Sequence, residues 1–302
     1  MSRIRTRVLV AIAHHETLHD TSETIASLLQ TKGVEYKVIV LDNGSSDRRE
    51  ANLLRERFPD IIVIRSERNL GSASGINRAI RYGLSFYEPD YVLVLDSDVF
   101  VDHMFLSTLV GTSIRVGSGI TGAQILSYEN NQRSMGIGGR IIWQLGLVVE
   151  YNVSKNYRLG NQAPVELEWV QGTAMLIRRD VIERIGLFNP LITGWEDFEY
   201  CLRARRNGFT VFGEPRALVW HKVASTRRRR MQRTGITEPV TPSDIIRYAR
   251  FLSLVSPHPT ISYVTAILIG YPLGALRLLF VKDNGLRTYY HRKFLRTLRL
   301  VS

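Results

Sequence analysis

Two aspartates separated by a single residue are candidates to bind a divalent metal ion. Asp96 and Asp98 follow the apolar run Tyr91–Leu95, which has the composition of a buried strand. Side chains two residues apart on an extended chain point the same way, so both carboxylates can face one site. Carboxylate oxygens suit Mg²⁺ or Mn²⁺, which also bind the phosphate oxygens of substrates. The same spacing also occurs in turns that cap a following helix, so the pair alone leaves both interpretations open.

A second acidic group lies a hundred residues further along the chain. Trp195, Glu196 and Asp197 lead into a predicted helix that ends at Gly208. The helix dipole favours ionised carboxylates in a first turn, and an ionised carboxylate beside a substrate is what a general base requires. Capping alone would also explain these acids. His221 ends another apolar run and is a candidate metal ligand, although a single histidine is more often structural.

Two more polar loops follow predicted strands. Asp42 comes directly after an apolar run and before a predicted helix, so it either contacts a ligand or forms a turn. The Gly- and Ser-rich residues 71–75 could bind phosphate at a helix N-terminus. They lack the Lys-Ser/Thr ending of a P-loop and the glycine spacing of dinucleotide-binding proteins, so they identify neither class.

Strands and helices alternate through the segment that carries these loops. Apolar runs predict strands at residues 8–13, 36–41, 61–65 and Tyr91–Leu95, and the spacing between them predicts helices at residues 21–30, 47–58 and 72–86, with Thr21, Asp47 and Ser72 as N-caps. This order predicts an α/β fold with a doubly wound, mostly parallel sheet. Ligands of such sheets bind beyond the carboxyl ends of the strands, where the polar loops lie.

The second half of the chain predicts a different mixture of elements. Residues 117–178 have the composition of further strands with Gly-rich turns. Two helices are predicted to begin near Arg179 and Asp197, and a pair of strands is predicted near Val211 and Leu218.

Composition is that of an ordinary globular protein. The chain has 302 residues, of which 44% are hydrophobic and 23% charged. A single cysteine, Cys201, excludes an internal disulfide framework and is typical of a reducing compartment. The chain begins MSRIRTRVLVAIAHHE, where the apolar run is short for an export signal and no small-residue cleavage site follows. We therefore expect a buried first strand and a cytoplasmic protein.

The net charge of +12 is concentrated at the C-terminal end. Residues 222–302 hold 15 Lys and Arg but only three acids, Glu238, Asp244 and Asp283, whereas the rest of the chain holds 25 of each sign. A neutral body with a basic end predicts chemistry in the first part and attachment to an anionic surface by the second. Nucleic-acid binding is not expected, because no recognition motif accompanies the charge.

An apolar stretch lies inside this basic region. Residues 261–281 are long enough to span a bilayer, but Gly270, Pro272, Gly274 and Arg277 interrupt them. Basic residues flank the stretch, as expected for contact with anionic headgroups. The pattern favours an interfacial or re-entrant helix pair. A membrane span and a helical subdomain packed on the catalytic body remain alternatives.

The motifs together resemble the GT-A fold glycosyltransferases of the large inverting family 2, which includes bacterial rhamnosyl- and galactofuranosyltransferases. The resemblance covers about residues 6–225. It rests on Leu41-Asp42-Asn43-Gly44-Ser45-Ser46-Asp47, Asn69-Leu70-Gly71-Ser72-Ala73-Ser74-Gly75-Ile76-Asn77, Leu95-Asp96-Ser97-Asp98, Gly172-Thr173-Ala174-Met175-Leu176-Ile177-Arg178-Arg179, Trp195-Glu196-Asp197 and Trp220-His221, in this order. At one place the chain departs from the family pattern, because His14-His15-Glu16 stands where members usually have a Thr-Tyr-Asn-like turn.

The resemblance implies a role for each matching residue. It implies that Asp98 and His221 bind Mn²⁺ or Mg²⁺ and that Asp197 is the catalytic base, with Glu196 as the rival base. It implies that the donor is bound by Asp42 at the pyrimidine base, by Asn69 in the Gly-rich loop, and by Asp96 at the ribose or the water shell of the metal. It places Gly172, Trp195 and Glu196 on the acceptor side. The departure at His14 leaves open the choice between uridine and thymidine donors.

These expectations describe a metal-dependent enzyme attached to a membrane. Residues 1–225 form the catalytic domain, with a nucleotide-binding half of about 1–100 and an acceptor half of about 101–225, and residues 226–302 form the basic extension. The expected reaction moves a sugar from a UDP- or dTDP-sugar to a hydroxyl of a glycan or lipid-linked acceptor, on the inner face of the cell membrane, in surface polysaccharide or glycolipid synthesis. The alternatives are a sugar nucleotidyltransferase and a non-catalytic, membrane-anchored nucleotide-binding module.

Overall fold

The structure is a computed structural model that describes residues 6–129, 134–143, 147–151, 162–192 and 194–222. The chain divides into two compact units, of which the first comprises Met1–Arg140 and Glu150–Arg228. The second comprises Ile141–Val149 and Arg229–Ser302, and only its short first segment is described. The predicted extension 226–302 and its apolar stretch 261–281 lie outside the described residues. Within the described residues, no helix has the length and hydropathy needed to cross a bilayer.

Strands and helices alternate in the first hundred residues, as predicted. The elements are β1 (Arg7–His14), α1 (Leu18–Leu28), β2 (Glu35–Asn43), α2 (Glu50–Arg57), β3 (Ile62–Ser66), α3 (Ser72–Leu84), β4 (Tyr91–Leu95), β5 (Val99–Val101) and α4 (Phe105–Val116). The remaining elements are β6 (Ile120–Ser127), β7 (Ser134–Gly136), β8 (Gly138–Ile142), β9 (Leu147–Tyr151), β10 (Val165–Leu167), β11 (Trp169–Val170), β12 (Ala174–Arg178), α5 (Arg179–Ile185), α6 (Glu196–Arg206) and β13 (Val211–His221).

Most strands belong to one mixed sheet with the order β10-β13-β6-β12-β4-β1-β2-β3. The strands β3, β2, β1 and β4 are parallel, and Val10 of β1 lies between Val38 of β2 and Leu93 of β4. Beyond β4, the strand β12 is antiparallel to both of its neighbours, β4 and β6. The sheet is therefore parallel through its first half and mixed beyond it.

Helices cover both faces of the parallel strands. The side chains of Val8, Val10 and Ile12 in β1 share a core cluster with Ile25 of α1. The alternate residue Leu9 faces α3, where a Cβ atom on Gly83 would lie 2.5 Å from its Cδ1. Because both faces are covered, the central residues of β1, β2 and β4 are apolar on both sides of the sheet, without the polar alternation of a half-exposed sheet.

The predicted N-caps are wrong by a few residues. The helices α1, α2 and α3 follow Thr17, Arg49 and Gly71, and none of these three makes a side-chain cap hydrogen bond. Asp47 instead accepts a hydrogen bond from the backbone N–H of Arg49 at 2.9 Å, in a turn that precedes α2. Local side-chain to backbone bonding in the turn thus displaced the start of the helix.

The strands near Val211 and Leu218 are one strand, not the predicted pair. The strand β13 runs parallel to β6 along its whole length, and its register shifts between Glu214 and Leu218. Pro215 lies inside the irregularity. Because proline has no backbone N–H, it is tolerated in a sheet mainly at such places, and the sequence break around it resembles a turn.

A second, smaller sheet has the order β11-β8-β9. Its closest packing is between Gly138 of β8 and the backbone of β11, where a Cβ atom would lie 2.1 Å from the carbonyl oxygen of Trp169. A glycine is therefore required for the two strands to approach at this position.

Candidate active site

The sheet brings Asp96, Asp98 and His221 together at the carboxyl end of β4. Asp98 immediately precedes β5, and β5 pairs with β13 so that Val99 lies opposite His221. The Nε2 atom of His221 is 3.1 Å from Oδ1 of Asp98 and 3.8 Å from Oδ2 of Asp96. One candidate ligand atom from each residue lies within 4.8 Å of the others. Residues separated by 123 positions in the chain thus form one cluster.

The donor set of this cluster fits a divalent metal ion. Carboxylate oxygens and imidazole nitrogens bind Mg²⁺ and similar ions at about 2.0–2.2 Å, so two ligands of one ion lie at most about 4.3 Å apart. The 3.1 Å and 3.8 Å distances from His221 to the two aspartates meet this limit. Two carboxylates and one imidazole also leave coordination positions open for phosphate oxygens or water.

The charges within the cluster indicate what it attracts. Burial lowers the pKa of His221, but the hydrogen bond to Asp98 and the charges of Asp96 and Asp98 outweigh burial, so the pKa is raised overall. Desolvation by the surrounding protein raises the pKa of the Asp96 carboxyl and Asp98 adds to this, while His221 opposes it. The side chain of Asp96 nevertheless keeps 44% of its area exposed. A positive charge between the two carboxylates is therefore favourable, whether a proton or a metal ion carries it.

Asp197 occupies a different environment at the start of α6. Its Oδ2 accepts a hydrogen bond from the backbone N–H of Gly172 at 2.9 Å, and its Oδ1 accepts one from the N–H of Phe198 at 2.9 Å. Within the described residues no Lys or Arg forms an ion pair with this carboxylate. Desolvation by burial raises its pKa from 3.8 to about 6, against the two backbone hydrogen bonds and with a smaller contribution from Glu196.

A two-residue segment joins the two acidic groups. The N–H of Gly172 binds Asp197, and the carbonyl oxygen of Thr173 accepts a hydrogen bond from the N–H of Asp96 at 3.0 Å. The following residue, Ala174, lies opposite Leu95 where β12 begins. The loop before β12 therefore links the backbone of Asp96 to the side chain of Asp197 through two hydrogen bonds of its own backbone.

Aromatic side chains surround the base of α6. The ring of Phe198 stacks on Trp169 with 3.8 Å between centroids and meets the edge of Trp195 at 5.1 Å. Trp169 is buried, whereas Trp195 and the neighbouring Glu196 are half-buried. Trp195 therefore presents a partly exposed aromatic surface next to Asp197, supported from below by the buried Phe198 and Trp169.

Asp42 lies at the carboxyl end of β2 and is fully buried. It forms an ion pair with Arg65 of β3, and its Oδ1 accepts a hydrogen bond from the N–H of Ser45 at 2.9 Å. The guanidinium of Arg65 also donates to the carbonyl oxygen of Ser45 at 2.8 Å. This arrangement holds a neutral pair of opposite charges under the loop that follows β2.

The Gly-rich loop before α3 is held by Asn43. The side-chain oxygen of Asn43 accepts a hydrogen bond from the N–H of Leu70 at 3.0 Å, and its amide donates to Asn69 Oδ1 at 3.3 Å. Asn69 itself accepts from the N–H of Gly71 at 2.8 Å. A Cβ atom on Gly44, whose φ is +77°, would lie 2.3 Å from the backbone carbon of Arg68. Only glycine therefore lets these two loops pack together.

His14, at the unusual end of β1, points into the protein. It is fully buried, with Nδ1 hydrogen-bonded to Thr21 Oγ1 at 2.7 Å and Nε2 to Glu50 Oε2 at 2.7 Å. Burial lowers its pKa, while Glu50 opposes this. This histidine joins β1, α1 and α2 and is part of the framework beneath the site.

The family model described as glycosyl transferase family 2 matches residues 9–186, which is more than half of the 302 residues. The chain belongs to glycosyl transferase family 2. The matched part contains Asp42, Asn69, Asp96, Asp98 and Gly172. It ends before Asp197 and His221, so only the geometry described above connects these two residues to the matched part.

Known relatives of this family 2 chain act in glycan synthesis. It is 23% identical over 245 residues to the galactofuranosyltransferase GlfT2 of Mycolicibacterium smegmatis, covering 74% of this chain and 38% of that protein. It is 27% identical over 198 residues to the low-salt glycan biosynthesis hexosyltransferase Agl10 of Haloferax volcanii, covering 64% of this chain and 61% of that protein. The chain thus matches less than two thirds of the length of either relative.

A solved structure confirms the fold of this family 2 protein. The mannosyltransferase PcManGT from Pyrobaculum calidifontis, determined with GDP-Man and Mn²⁺, superposes with a TM-score of 0.55 at 16% identity, covering 96% of this chain and 84% of that one. The chain therefore has the GT-A glycosyltransferase fold, and the predicted α/β class is confirmed. The sheet is mixed, and not mostly parallel as predicted, because the strands beyond β4 are joined largely by antiparallel pairings.

The predicted site residues divide into three groups in the folded chain. Asp96, Asp98 and His221 form one cluster, Gly172 and Asp197 a second one linked to it, and Asp42 and Asn69 lie in loops at the ends of the parallel strands. The contacts of three contributors were not predicted: Arg65 pairs with Asp42, Asn43 holds the Gly-rich loop, and Thr173 binds the backbone of Asp96. Of these, Asn43 and Thr173 lie in the motifs of the family resemblance. The sequence signal for Asn43 is a polar residue between an apolar run and a glycine. The pairing of Arg65 with Asp42 has no such local signal, because it depends on the order of the strands in the sheet.

Proposed function

We propose that this family 2 protein is a metal-dependent inverting glycosyltransferase. It transfers a sugar from a UDP- or dTDP-sugar, with rhamnose-type donors included, to a hydroxyl of a glycan or lipid-linked acceptor. The observation that carries the proposal is the pair of linked acidic centres: a cluster of Asp96, Asp98 and His221 suited to a cation, and a desolvated Asp197 held by Gly172. A metal-assisted displacement needs both, one for the departing diphosphate and one for the incoming hydroxyl.

Asp98 and His221 are the proposed ligands of Mn²⁺ or Mg²⁺. Asp96 lies 3.8 Å from the imidazole and is assigned to the ribose of the donor or to the water shell of the metal. When bound, the metal supplies positive charge that stabilises the diphosphate leaving group. The Mn²⁺ bound by the structural relative from Pyrobaculum calidifontis supports this assignment.

Asp197 is the proposed base. Its pKa of about 6 makes the carboxylate a stronger base than an ordinary aspartate while leaving most of it ionised at pH 7. A carboxylate is still weak towards an alcohol, so proton transfer to Asp197 occurs late, when the acceptor oxygen is already bonding to the anomeric carbon. Attack on the face opposite the departing diphosphate then inverts that carbon. Positioning and electrostatics contribute most of the rate enhancement.

Gly172 orients the base, because its N–H donates a hydrogen bond to Oδ2 of Asp197. The other oxygen, Oδ1, accepts a hydrogen bond from the N–H of Phe198. Glu196 precedes Asp197 in α6 and is the rival base. Its assignment to the acceptor side, with Trp195, follows from the aromatic surface beside α6, because apolar sugar faces stack on exposed aromatic rings.

The donor nucleotide is assigned to the loops after β2 and β3. Asp42 is proposed to read the pyrimidine, and Asn69 to shape the Gly-rich loop near the donor. Asp42 pairs with Arg65 and accepts a hydrogen bond from the N–H of Ser45. Donor binding would therefore exchange or extend these hydrogen bonds at an already neutralised carboxylate, which avoids leaving a buried charge unpaired.

The catalytic domain is proposed to comprise residues 1–225, and the basic region 226–302 to attach it peripherally to the inner face of the cell membrane. The charge of that region supports attachment to anionic lipid. The pathway we propose is synthesis of a surface polysaccharide or glycolipid, in line with the galactofuranosyl- and hexosyltransferase relatives.

The purified protein should be incubated with Mn²⁺ or Mg²⁺ and a panel of UDP-, dTDP- and GDP-sugars, with and without membrane lipid extract. We expect one donor to release nucleoside diphosphate in a metal-dependent reaction that Asp98→Ala and Asp197→Ala abolish. Nucleotide binding without release would indicate a missing acceptor. Absence of both binding and release would overturn the proposal in favour of a non-catalytic module, and release of pyrophosphate from a nucleoside triphosphate and a sugar phosphate would indicate a nucleotidyltransferase.

A further inference from the structure

We infer that Lys222 is a positioning residue for the metal ligand His221, through a clamp formed with the first turns of α1. The inference rests on the metal site proposed above. Lys222 is the residue directly after β13, and only 5% of its surface is exposed. A buried lysine requires partners for its charge, and all of those described below lie on elements that surround Asp98.

The backbone of Lys222 extends the pairing of β13 with β5 by one step. Its N–H donates to the carbonyl oxygen of Asp98 at 2.9 Å, next to the pair formed by Val99 and His221. At the other end of β5, the N–H of Asp102 donates to the carbonyl oxygen of Leu218. These two hydrogen bonds flank the pairing of β5 with β13 and fix the backbone of His221 relative to Asp98. The bond made by Lys222 is the one adjacent to His221.

The side chain of Lys222 reaches the first turns of α1. Its ammonium forms an ion pair with Glu23 and lies 3.6 Å from Oδ1 of Asp20, which is buried. The same ammonium lies 4.8 Å from the ring centroid of Tyr128, a favourable distance for a cation–π contact. Asp20 and Glu23 also form a cluster with His19 at the start of α1. The ammonium of Lys222 supplies the positive charge beside these two carboxylates.

Helix α1 in turn holds the opposite edge of β5. The hydroxyl of Thr24 donates to the carbonyl oxygen of Val99 at 2.7 Å and accepts from its N–H at 3.0 Å. Ser27 accepts from the N–H of Val101 at 3.2 Å. The backbone groups of β5 thus alternate between α1 and β13, and Lys222 connects β13 back to α1. The three elements form a closed ring that begins at Asp98.

The charge of Lys222 and its position predict opposite effects on metal binding. A positive charge next to the cluster repels a cation, so its removal should by itself strengthen metal binding. If the clamp positions His221, its removal should weaken metal binding, because partners that orient a ligand typically contribute about 10–100-fold to affinity. The direction of the change therefore separates a positioning role from a purely electrostatic one.

The test measures the dissociation constant of Mn²⁺ on the full chain without substrate, from the electron paramagnetic resonance signal of free Mn²⁺. We expect Lys222→Met to weaken binding by about tenfold. Lys37→Met is the matched control: it removes an exposed lysine whose ammonium lies 5.7 Å from the ring centroid of Tyr87, and it should leave the dissociation constant unchanged. Thermal unfolding by circular dichroism shows whether each variant is folded at the temperature of the titration.

A double variant guards against loss of folding. Glu23→Met with Lys222→Met replaces the ion pair by apolar side chains, which often preserves stability, and leaves the net charge near the site unchanged. We expect it to bind Mn²⁺ about tenfold more weakly than the natural protein. Binding as tight as or tighter than in the natural protein, in either variant, would overturn the clamp while the proposed function stands. No Mn²⁺ binding by the natural protein would overturn the proposed metal site and the clamp with it.

Discussion

The two acidic centres of the site differ in the groups that surround their carboxylates. Asp98 and Asp96 lie beside an imidazole whose pKa they raise, so the cluster is organised around a positive charge. Asp197 has only backbone N–H partners among the hydrogen bonds described, and burial raises its pKa to about 6. The comparison shows how carboxylates of one site can suit different roles. A carboxylate beside an imidazole is suited to bind a metal ion, whereas a desolvated carboxylate without a charged partner has a raised pKa and is suited to act as a base.

The largest expected effect comes from removing the ligand at the centre of the metal cluster. Asp98→Asn keeps the size of the side chain but deletes the charge that faces His221 at 3.1 Å. Because the metal contributes several kcal/mol to the stabilisation of the leaving group, turnover should fall by on the order of 10³-fold. The dissociation constant of Mn²⁺, measured by calorimetry, should rise in parallel. Unchanged metal binding would place the ion elsewhere.

The second prediction tests whether the other centre works independently of the metal. Asp197→Asn should lower turnover by at least about 10²-fold, as expected for loss of a general base, while the dissociation constant of Mn²⁺ stays within about twofold. Glu196→Gln is the matched control from the preceding position and should lower turnover by less than about tenfold. The reverse ranking of these two variants would make Glu196 the base.

Asp197→Asn should also change how the stability of the protein depends on pH. The pKa of Asp197 rises from 3.8 to about 6 on folding, so ionising this group costs about 3 kcal/mol in the folded state. The cost begins as the pH rises above the unfolded value and is complete above about pH 6. Asn removes this cost, but it offers a single acceptor oxygen to the two N–H groups of Gly172 and Phe198, so one of them loses its hydrogen bond at every pH. Chemical denaturation should therefore show the stability of the variant, relative to the natural protein, rising by about 2–3 kcal/mol between pH 4 and pH 7.

The third prediction uses pH to separate the two centres. At saturating Mn²⁺, kcat/KM should rise about tenfold between pH 5 and pH 7, because a base with a pKa of about 6 becomes ionised over that interval. Asp197→Asn should lose this rise. To exclude a metal effect, the profile should be repeated at a higher Mn²⁺ concentration; a midpoint that moves with the metal would assign the titration to the cluster instead.

Sequence patterns predicted the elements whose apolar residues are consecutive. β4 matches its predicted bounds of Tyr91–Leu95 because five apolar residues are buried on both faces. The start of α2 was missed because Asp47 bonds to the backbone locally in the turn before it. The start of α1 was missed because Thr21, the predicted cap, lies inside the helix. The predicted break in β13 was wrong because Pro215 is accommodated by a register shift along a strand that continues.

The candidate site shows a similar division. Its acids were found because each follows an apolar run or opens a helix. Their partners were not, because the pairing of Arg65 with Asp42 requires knowing that β2 and β3 are neighbours. The contact between Lys222 and Glu23 spans 199 residues. Local patterns identify which groups carry charge, and only the sheet order shows which charges meet.

The smallest expected effect concerns the segment that joins the two centres. A Cβ atom on Gly172 would lie 3.2 Å from Cβ of Asp197 and 3.5 Å from its Oδ2, so Gly172→Ala should displace the base by a few tenths of an ångström. Since a misplacement of about 1 Å can cost about 10²-fold in rate, turnover should fall by about 3–10-fold with Mn²⁺ binding unchanged.

Gly111 provides the control for this substitution. It lies in α4, where an added Cβ atom meets nothing within 4 Å, so Gly111→Ala should leave turnover unchanged and stabilise the helix by about 0.5–1 kcal/mol. A rate loss in Gly172→Ala accompanied by weaker Mn²⁺ binding would show that the segment moves Asp96 through Thr173, whose carbonyl binds the Asp96 N–H at 3.0 Å. The two acidic centres would then be mechanically coupled, and their different surroundings would be properties of one connected structure.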